Sequence, residues 1–176
     1  MTLGKVHLHP DKDGVDHVNV YTRGKTSLGR SLSNLADISL VHPEHGEFRT
    51  LEGLYFWRAT GMRNDLLRKV NGYDARTIGH KIEKVWDDDF QLDVKIGLAA
   101  KIIQNPDLME ALKTRYTDLP FHHYYFYGKG SDVKVVAPKG HKWQMDTIEL
   151  IRSTLLDPPD TFELDQLLTK EFYIQQ

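Results

Sequence analysis

The chain of 176 residues contains no cysteine. Disulfides, zinc–thiolate centres and thiol nucleophiles are therefore excluded. Charge of one sign is missing as well: 23 Lys and Arg stand against 25 Asp and Glu, for a formal net charge of −2. Without a global basic field, a protein that grips duplex DNA mainly through its phosphates is not expected. Handling of a single extruded nucleotide is compatible with this balance. Long hydrophobic runs are absent too. The opening Met1–His7 has no apolar stretch of the secretory kind, and no run approaches membrane-spanning length, so a cytoplasmic location is expected. No internal repeat, low-complexity tract or domain linker is visible.

What is present is an ordinary globular composition, 40% hydrophobic and 27% charged, in a chain long enough for one real core. The stretch Phe48–Ala59 reads as a strongly apolar helix entered through Thr50, with Leu51, Leu54, Tyr55 and Phe56 or Trp57 at near-helical spacing. Glu52 falls in its first turn. A carboxylate there is stabilised by free N–H groups and the helix dipole, which is one reading of it. The other is a carboxylate held against an aromatic wall, as cleavage of a glycosidic bond requires. The local pattern leaves both open.

Around this helix the elements follow in order. Lys5–His9 alternates like a short strand, and His7-x-His9 lacks a third metal ligand at a recognisable spacing. A turn at Pro10–Gly14 precedes a strand over His17–Tyr21, with Val18 and Val20 on one face. Thr22–Leu35 is rich in Gly, Ser, Thr and basic residues without periodicity, and reads as a loop whose donors suit phosphate or ribose. It is not a P-loop, since Gly24-Lys25-Thr26 lacks the upstream glycine. Asp37–Val41 and Glu47–Arg49 are extended pieces around a turn at His42–Gly46. Asn64–Val70 is a short helix closed by Asn71-Gly72 as C-cap, and Asp74–Ile82 is another. Trp86-Asp-Asp-Asp-Phe90 starts the longest helix, the acidic run reading as a solvated cap rather than a metal cluster. Asn105-Pro106 opens the next helix. Aromatic Phe121–Gly128 pairs with Asp132–Ala137, and a polar loop over Lys139–Gln144 leads into a helix over Met145–Leu155. Asp160-x-x-Glu163 resembles a capping box for a last helix reaching Phe172.

Several of these pieces, in this order, resemble the NADAR (YbiA-like) family. They are Val20-Tyr21, Leu32-Ser33-Asn34-Leu35, Thr50-Leu51-Glu52-Gly53-Leu54-Tyr55-Phe56, Ala75-x-x-x-Gly79, Trp86, and Gln104-Asn-Pro-Asp-Leu108 with Leu112. The resemblance covers roughly residues 17–152. The chain departs from the family's pattern at Leu51-Glu52-Gly53, at Tyr127-Gly128 and at His141–Gln144, and the acid that precedes the late Trp-Gly has no clear counterpart in His122–Tyr127. The resemblance implies an α+β fold, a single mostly helical domain over 17–155. Residues 1–16 would be an N-terminal extension, and 156–176 a C-terminal helix on the same domain. It implies an N-glycosyl hydrolase of the ADP-ribosyl glycohydrolase type. The Lys25-Thr-x-Leu-Gly-Arg30-x-Leu-Ser-Asn34 form of the loop looks closer to the branch that removes ADP-ribose from guanine, including guanine in DNA. Such an enzyme reverses toxin or anti-phage ADP-ribosylation, in the host cytoplasm if the chain is phage-encoded. Two alternatives stand beside it: an N-glycosidase on ribosylamine intermediates of riboflavin synthesis, and a non-catalytic binder of ADP-ribose or nucleotide.

Breaking a C1′–N bond passes through an oxocarbenium-like state and calls for negative charge near C1′, a proton for the departing nitrogen and a positioned water. Glu52 is the candidate catalyst. At a helix start it is expected to be an ionised base or cation stabiliser rather than a proton donor. Trp86 is expected to stack a base or wall off the ribose, core packing being its other reading. The substrate-binding candidates are Lys25, Arg30, Ser33, Asn34, Tyr55, Gly79, His80 and Lys142, with His80, Lys142 and Asp87–Asp89 as lesser candidates for proton transfer. A local patch around Arg23, Lys25 and Arg30 is expected to meet DNA. The reaction calls for no metal and no cofactor.

Overall fold

The computed structural model describes residues 7–176. In chain order its main elements are β1 (Val18–Asn19), α1 (Ser27–Leu32), β2 (Leu40–His42), β3 (Gly46–Phe48), α2 (Leu51–Ala59), α3 (Gly72–His80), α4 (Phe90–Ile103), α5 (Pro106–Thr114), β4 (Phe121–His122), β5 (Tyr125–Tyr127), β6 (Lys134–Val136), α6 (Lys142–Leu156) and α7 (Lys170–Ile174). This is the mostly helical α+β class, with the strands confined to three two-stranded sheets among the described residues. No helix among them is long and apolar enough to cross a membrane. The chain divides into two units, one formed by residues up to Ser33 with Glu110–Leu156, the other by Asn34–Met109 with Asp157–Gln176.

In the first unit, β1 runs parallel to β4, Val18 opposite Phe121 and Asn19 opposite His122. Its buried side chains include Val18, Val20, Leu28, Leu32, Phe121, Tyr124, Ile148 and Ile151. The segment expected as a loop over 22–35 contains α1. Thr26 caps it by accepting from the Gly29 N–H at 3.0 Å. Leu28 and Leu32, four residues apart, bury one face, a spacing that the surrounding Gly and Ser obscure. Buried Asp13 ties the preceding loop down, accepting from the N–H groups of Asn19 (2.9 Å) and Lys25 (2.6 Å). Buried His17 lies 2.7 Å from the Tyr124 hydroxyl and 2.5 Å from Asp16. Phe121 and Tyr124 therefore belong to the core, while Tyr125 and Tyr127 are exposed on β5, which pairs antiparallel with β6. Helix α6 begins at Lys142, three residues before the expected start.

The second unit is built on α2, α3 and α4. The hairpin β2–β3 forms as expected, Leu40 opposite Phe48. Helix α4 buries Val94, Leu98 and Ile102 on one face, each side chain stabilising by about 1.5–3 kcal/mol. Gly97 permits its close approach to α2, since a Cβ there would lie 2.2 Å from Leu54. The expected short helix over 64–70 is a 3₁₀ turn at Asp65–Arg68 capped by Asn64. Asn71 is not a C-cap but the N-cap of α3, its Oδ1 accepting from Asp74 N–H at 3.0 Å. Trp86 and Asp87–Asp89 precede α4 rather than opening it, and α6, at 15 residues, is one longer than α4. The lone His7–His9 strand expectation fails where it can be seen, since residues 7–9 carry no strand, and Lys5 and Val6 lie outside the described residues. The C-terminal segment is two pieces rather than one helix. The capping box joins Glu163 to Gln166 and opens a 3₁₀ turn at Leu164–Leu168, after which α7 starts at a new cap, Thr169. Leu167 and Tyr173 anchor these pieces by burial.

Candidate active site

Thr50 Oγ1 accepts from the Gly53 N–H at 3.0 Å and caps α2 by itself. The capping role does not need Glu52. Its backbone N–H instead donates to the Asn34 carbonyl at 2.9 Å, and the Asn34 side chain hydrogen-bonds its carboxyl. The Leu32–Leu35 motif and the Thr50–Glu52 motif, far apart in sequence, thus meet through Asn34. Lys101, on the buried face of α4, has no solvent exposure, and with Arg76 of α3 it lies within electrostatic reach of Glu52. Gly53 follows because the Leu67 carbonyl crosses the helix there, 2.3 Å from where a Cβ would stand.

Burial dominates the electrostatics. It pushes the Glu52 carboxyl up to about 7, outweighing Arg76, the Asn34 hydrogen bond and Lys101, all of which favour the anion. It pushes the Lys101 ammonium down to about 7, against the pull of Glu52. The expectation of a carboxylate held firmly ionised by the helix dipole is therefore corrected. A dipole contribution of about 0.3–1 kcal/mol at a helix end does not match the desolvation of this half-buried residue's carboxyl.

One turn along α2, Tyr55 shares this environment; burial first, then the Glu52 charge, raises its hydroxyl. Its ring meets the edge of Phe90 at 5.1 Å and of Trp86 at 6.5 Å, and Trp86 meets Phe90 at 4.8 Å. Trp86 is 57% exposed. It is an aromatic surface standing open beside the Tyr55 and Phe90 rings, not a core residue. Glu52, Asn34, Tyr55 and Trp86, all expected from the sequence, are thereby brought together in the second unit.

Other expected contacts have different places. Gly79 meets the Phe56 ring, where a Cβ would come within 2.2 Å, so packing of α3 on α2 explains it. His80 is exposed, its ring edge 5.2 Å from Phe56. Lys25, Arg30, Ser33 and Lys142 belong to the first unit. Arg30 Nη1 donates to the carbonyls of Gly24 (2.9 Å) and Lys25 (2.8 Å), which makes it a brace for its own loop. Ser33 is buried at the end of α1, and the exposed Lys142 pairs with Asp146 at 2.6 Å. Asp87 is no free proton carrier either. It holds Arg58 through two hydrogen bonds of 2.7 and 2.9 Å, which lower its carboxyl.

Among the described residues, one group has metal-ligating composition: His42, His45 and Asp93. Its chemistry does not fit a cation. Asp93 is buried and already faces two positive side chains, Arg58 Nε at 2.5 Å and Lys170 Nζ at 3.9 Å. His42 Nδ1 accepts from the N–H groups of Glu44 and His45, and its Nε2 donates to the Asp93 carbonyl at 3.1 Å, leaving no lone pair. Burial, reinforced by His45, lowers His42 to about 4 and keeps it neutral. Arg58 and Lys170 already neutralise the buried aspartate.

Lys101 and Arg76 were not anticipated. The available signal was Lys101 itself, a cation in the apolar run Ile96–Ile103 at a position that shares the Val94–Leu98 face. No family model, no curated protein and no solved structure matches this chain.

Proposed function

We propose that this protein hydrolyses an N-glycosidic bond, removing ADP-ribose from modified guanine in DNA and so reversing toxin or anti-phage ADP-ribosylation. The observation that carries the reading is a carboxyl held by Asn34 at the start of α2, with Lys101 and Arg76 within electrostatic reach, one turn from Tyr55, whose ring meets the open Trp86; burial raises that carboxyl toward neutrality. A group that is half ionised at pH 7 exchanges protons in either direction, which is the condition for efficient general acid–base catalysis. As carboxylate, Glu52 takes a proton from the attacking water and offers negative charge to the oxocarbenium-like centre. The water oxygen bonds to C1′, the C1′–N pair leaves with the base, that nitrogen takes a proton from solvent, and Glu52 returns to solvent the proton it took from the water. Trp86 supplies a flat apolar surface for the base or ribose, and Arg76 supplies a cation near the acidic substrate. The NADAR resemblance supports the same chemistry.

The test is incubation of wild type and Glu52→Gln with ADP-ribosylated oligonucleotide, and separately with ribosylamine intermediates of riboflavin synthesis. Release of ADP-ribose by wild type alone supports the proposal. Turnover confined to ribosylamines moves the substrate to that class. Binding of free ADP-ribose without turnover on either makes the protein a non-catalytic binder, and cleavage by Glu52→Gln at the wild-type rate removes Glu52 from the chemistry.

A further inference from the structure

The β5–β6 hairpin has two faces of opposite character. Phe126 turns toward its own unit, its ring meeting Tyr21 at 6.0 Å and Tyr124 at 6.5 Å. The opposite face carries Tyr125 beside Val136 and Tyr127 beside Lys134, by direct cross-strand pairing. Tyr125 is 39% and Tyr127 56% exposed, and neither side chain has a hydrogen-bond or ring partner among the described residues. Tyr127 in particular stands mostly open, and neither hydroxyl is satisfied by the described residues.

The charge on this hairpin runs against that of the chain. Lys129, Lys134 and Lys139 are exposed, and Asp132 is the one acid from Phe121 to His141, in a protein of net charge −2. Two residues of strand advance about 7 Å. A base stacked between two rings needs about 3.4 Å on each side, the same total. The two tyrosine positions are thus spaced to take one base between them, with lysines at the strand ends for phosphates.

We propose that this face binds single-stranded nucleic acid by base stacking on Tyr125 and Tyr127 with phosphate contacts from Lys129, Lys134 and Lys139. It goes beyond the reading above: it assigns a nucleic-acid-binding face to the first unit and names an unpaired strand as what that face takes. A duplex hides its base faces in the stack and offers mainly phosphates, for which three lysines are a weak match. A protein partner with an acidic surface would use the lysines without needing flat π-faces.

Fluorescence anisotropy with a short labelled unmodified DNA strand, the same sequence as duplex, and an acidic peptide tests this. Wild type is expected to bind the single strand more tightly than the duplex. Tyr127→Ala should weaken that binding about tenfold, within the range of one lost stack, while Tyr127→Phe restores it. Lys134→Gln should lower the salt slope by about 0.7, as for one phosphate on a single strand. Equal affinity for duplex and single strand, indifference to Tyr127→Ala, or preference for the acidic peptide overturns the proposal. Circular dichroism checks that each variant is folded. Cleavage of ADP-ribosylated guanosine mononucleotide separates the two readings. Unchanged mononucleotide turnover with no strand binding sinks the hairpin alone. Strand binding retained without turnover of any substrate sinks the glycohydrolase alone.

Discussion

Replacing Glu52 by glutamine separates charge from shape at the centre of the candidate site. The folded carboxyl sits at about 7 against an ordinary 4.5. The folded chain therefore binds more protons than the unfolded chain between those values, so this residue's contribution to stability falls as pH rises from 4.5 to 7. At about 1.4 kcal/mol per pKa unit, the loss is roughly 3 kcal/mol once the group is ionised. Glutamine has the same shape and no such loss. At pH 5 both forms present a neutral side chain beside a charged Lys101, and their stabilities should nearly coincide. At pH 8 Lys101, lowered to about 7, is mostly neutral in either form, so removing the carboxylate does not strand a buried cation. The variant should then be the more stable by up to about 3 kcal/mol, while losing the proposed glycohydrolase activity. Urea denaturation at the two pH values reads the difference directly. If the stability difference between the two proteins is the same at pH 5 and pH 8, the carboxyl titrates normally and the argument for a poised group collapses. If the variant fails to fold at either pH, Glu52 is a structural residue of α2.

The remaining predictions concern residues on α2 or in contact with its side chains. Arg58→Met leaves buried Asp93 with only Lys170 and His45 and should cost about 3–5 kcal/mol in chemical denaturation, with Arg58→Met/Asp93→Asn recovering much of it; a loss under about 1 kcal/mol would show that Lys170 alone suffices. Trp86→Ala should change stability by no more than about 0.5 kcal/mol, since the ring is mostly exposed, yet lower kcat/KM at least about tenfold through a lost stack. Gly79→Ala should destabilise by about 1–3 kcal/mol by driving a methyl into Phe56, measured by thermal unfolding and partly relieved by Phe56→Leu.

Local chemistry made much of the fold legible. Thr50, Asn105-Pro106 and the His42–Gly46 turn mark boundaries that depend on a few adjacent residues, and those boundaries stand where the sequence puts them. The misplacements have a common physical origin. Asn71 carries a side chain suited to either end of a helix, and only the Asp74 N–H within reach decides that it starts α3. Thr22–Leu35 has loop composition, and α1 exists because burial of Leu28 and Leu32 overrides it. The site shows the same division. Glu52, Asn34, Tyr55 and Trp86 could be named from their order along the chain. Lys101 and Arg76 could not, because their significance is a charge brought from α4 and α3 onto α2, which only tertiary packing creates. The Phe56 ring requires a glycine at 79, a packing constraint that sequence order does not reveal.

The helix N-terminus and the buried environment act on Glu52 in opposite directions, and their magnitudes decide what it can do. Dipole, Asn34, Arg76 and Lys101 all favour the anion, yet the carboxyl ends near 7. Burial must therefore cost more than all of them together supply. The start of α2 fixes where the carboxyl stands, through Thr50 and the Asn34 carbonyl; α3 and α4, packed closely on α2, set when it ionises. This separation of position from charge state explains why a motif alone misjudged the group. A carboxylate at a solvated helix start would be a permanent anion. The same residue, drawn out of water within electrostatic reach of Lys101 and Arg76, is one whose proton is free to move at neutral pH.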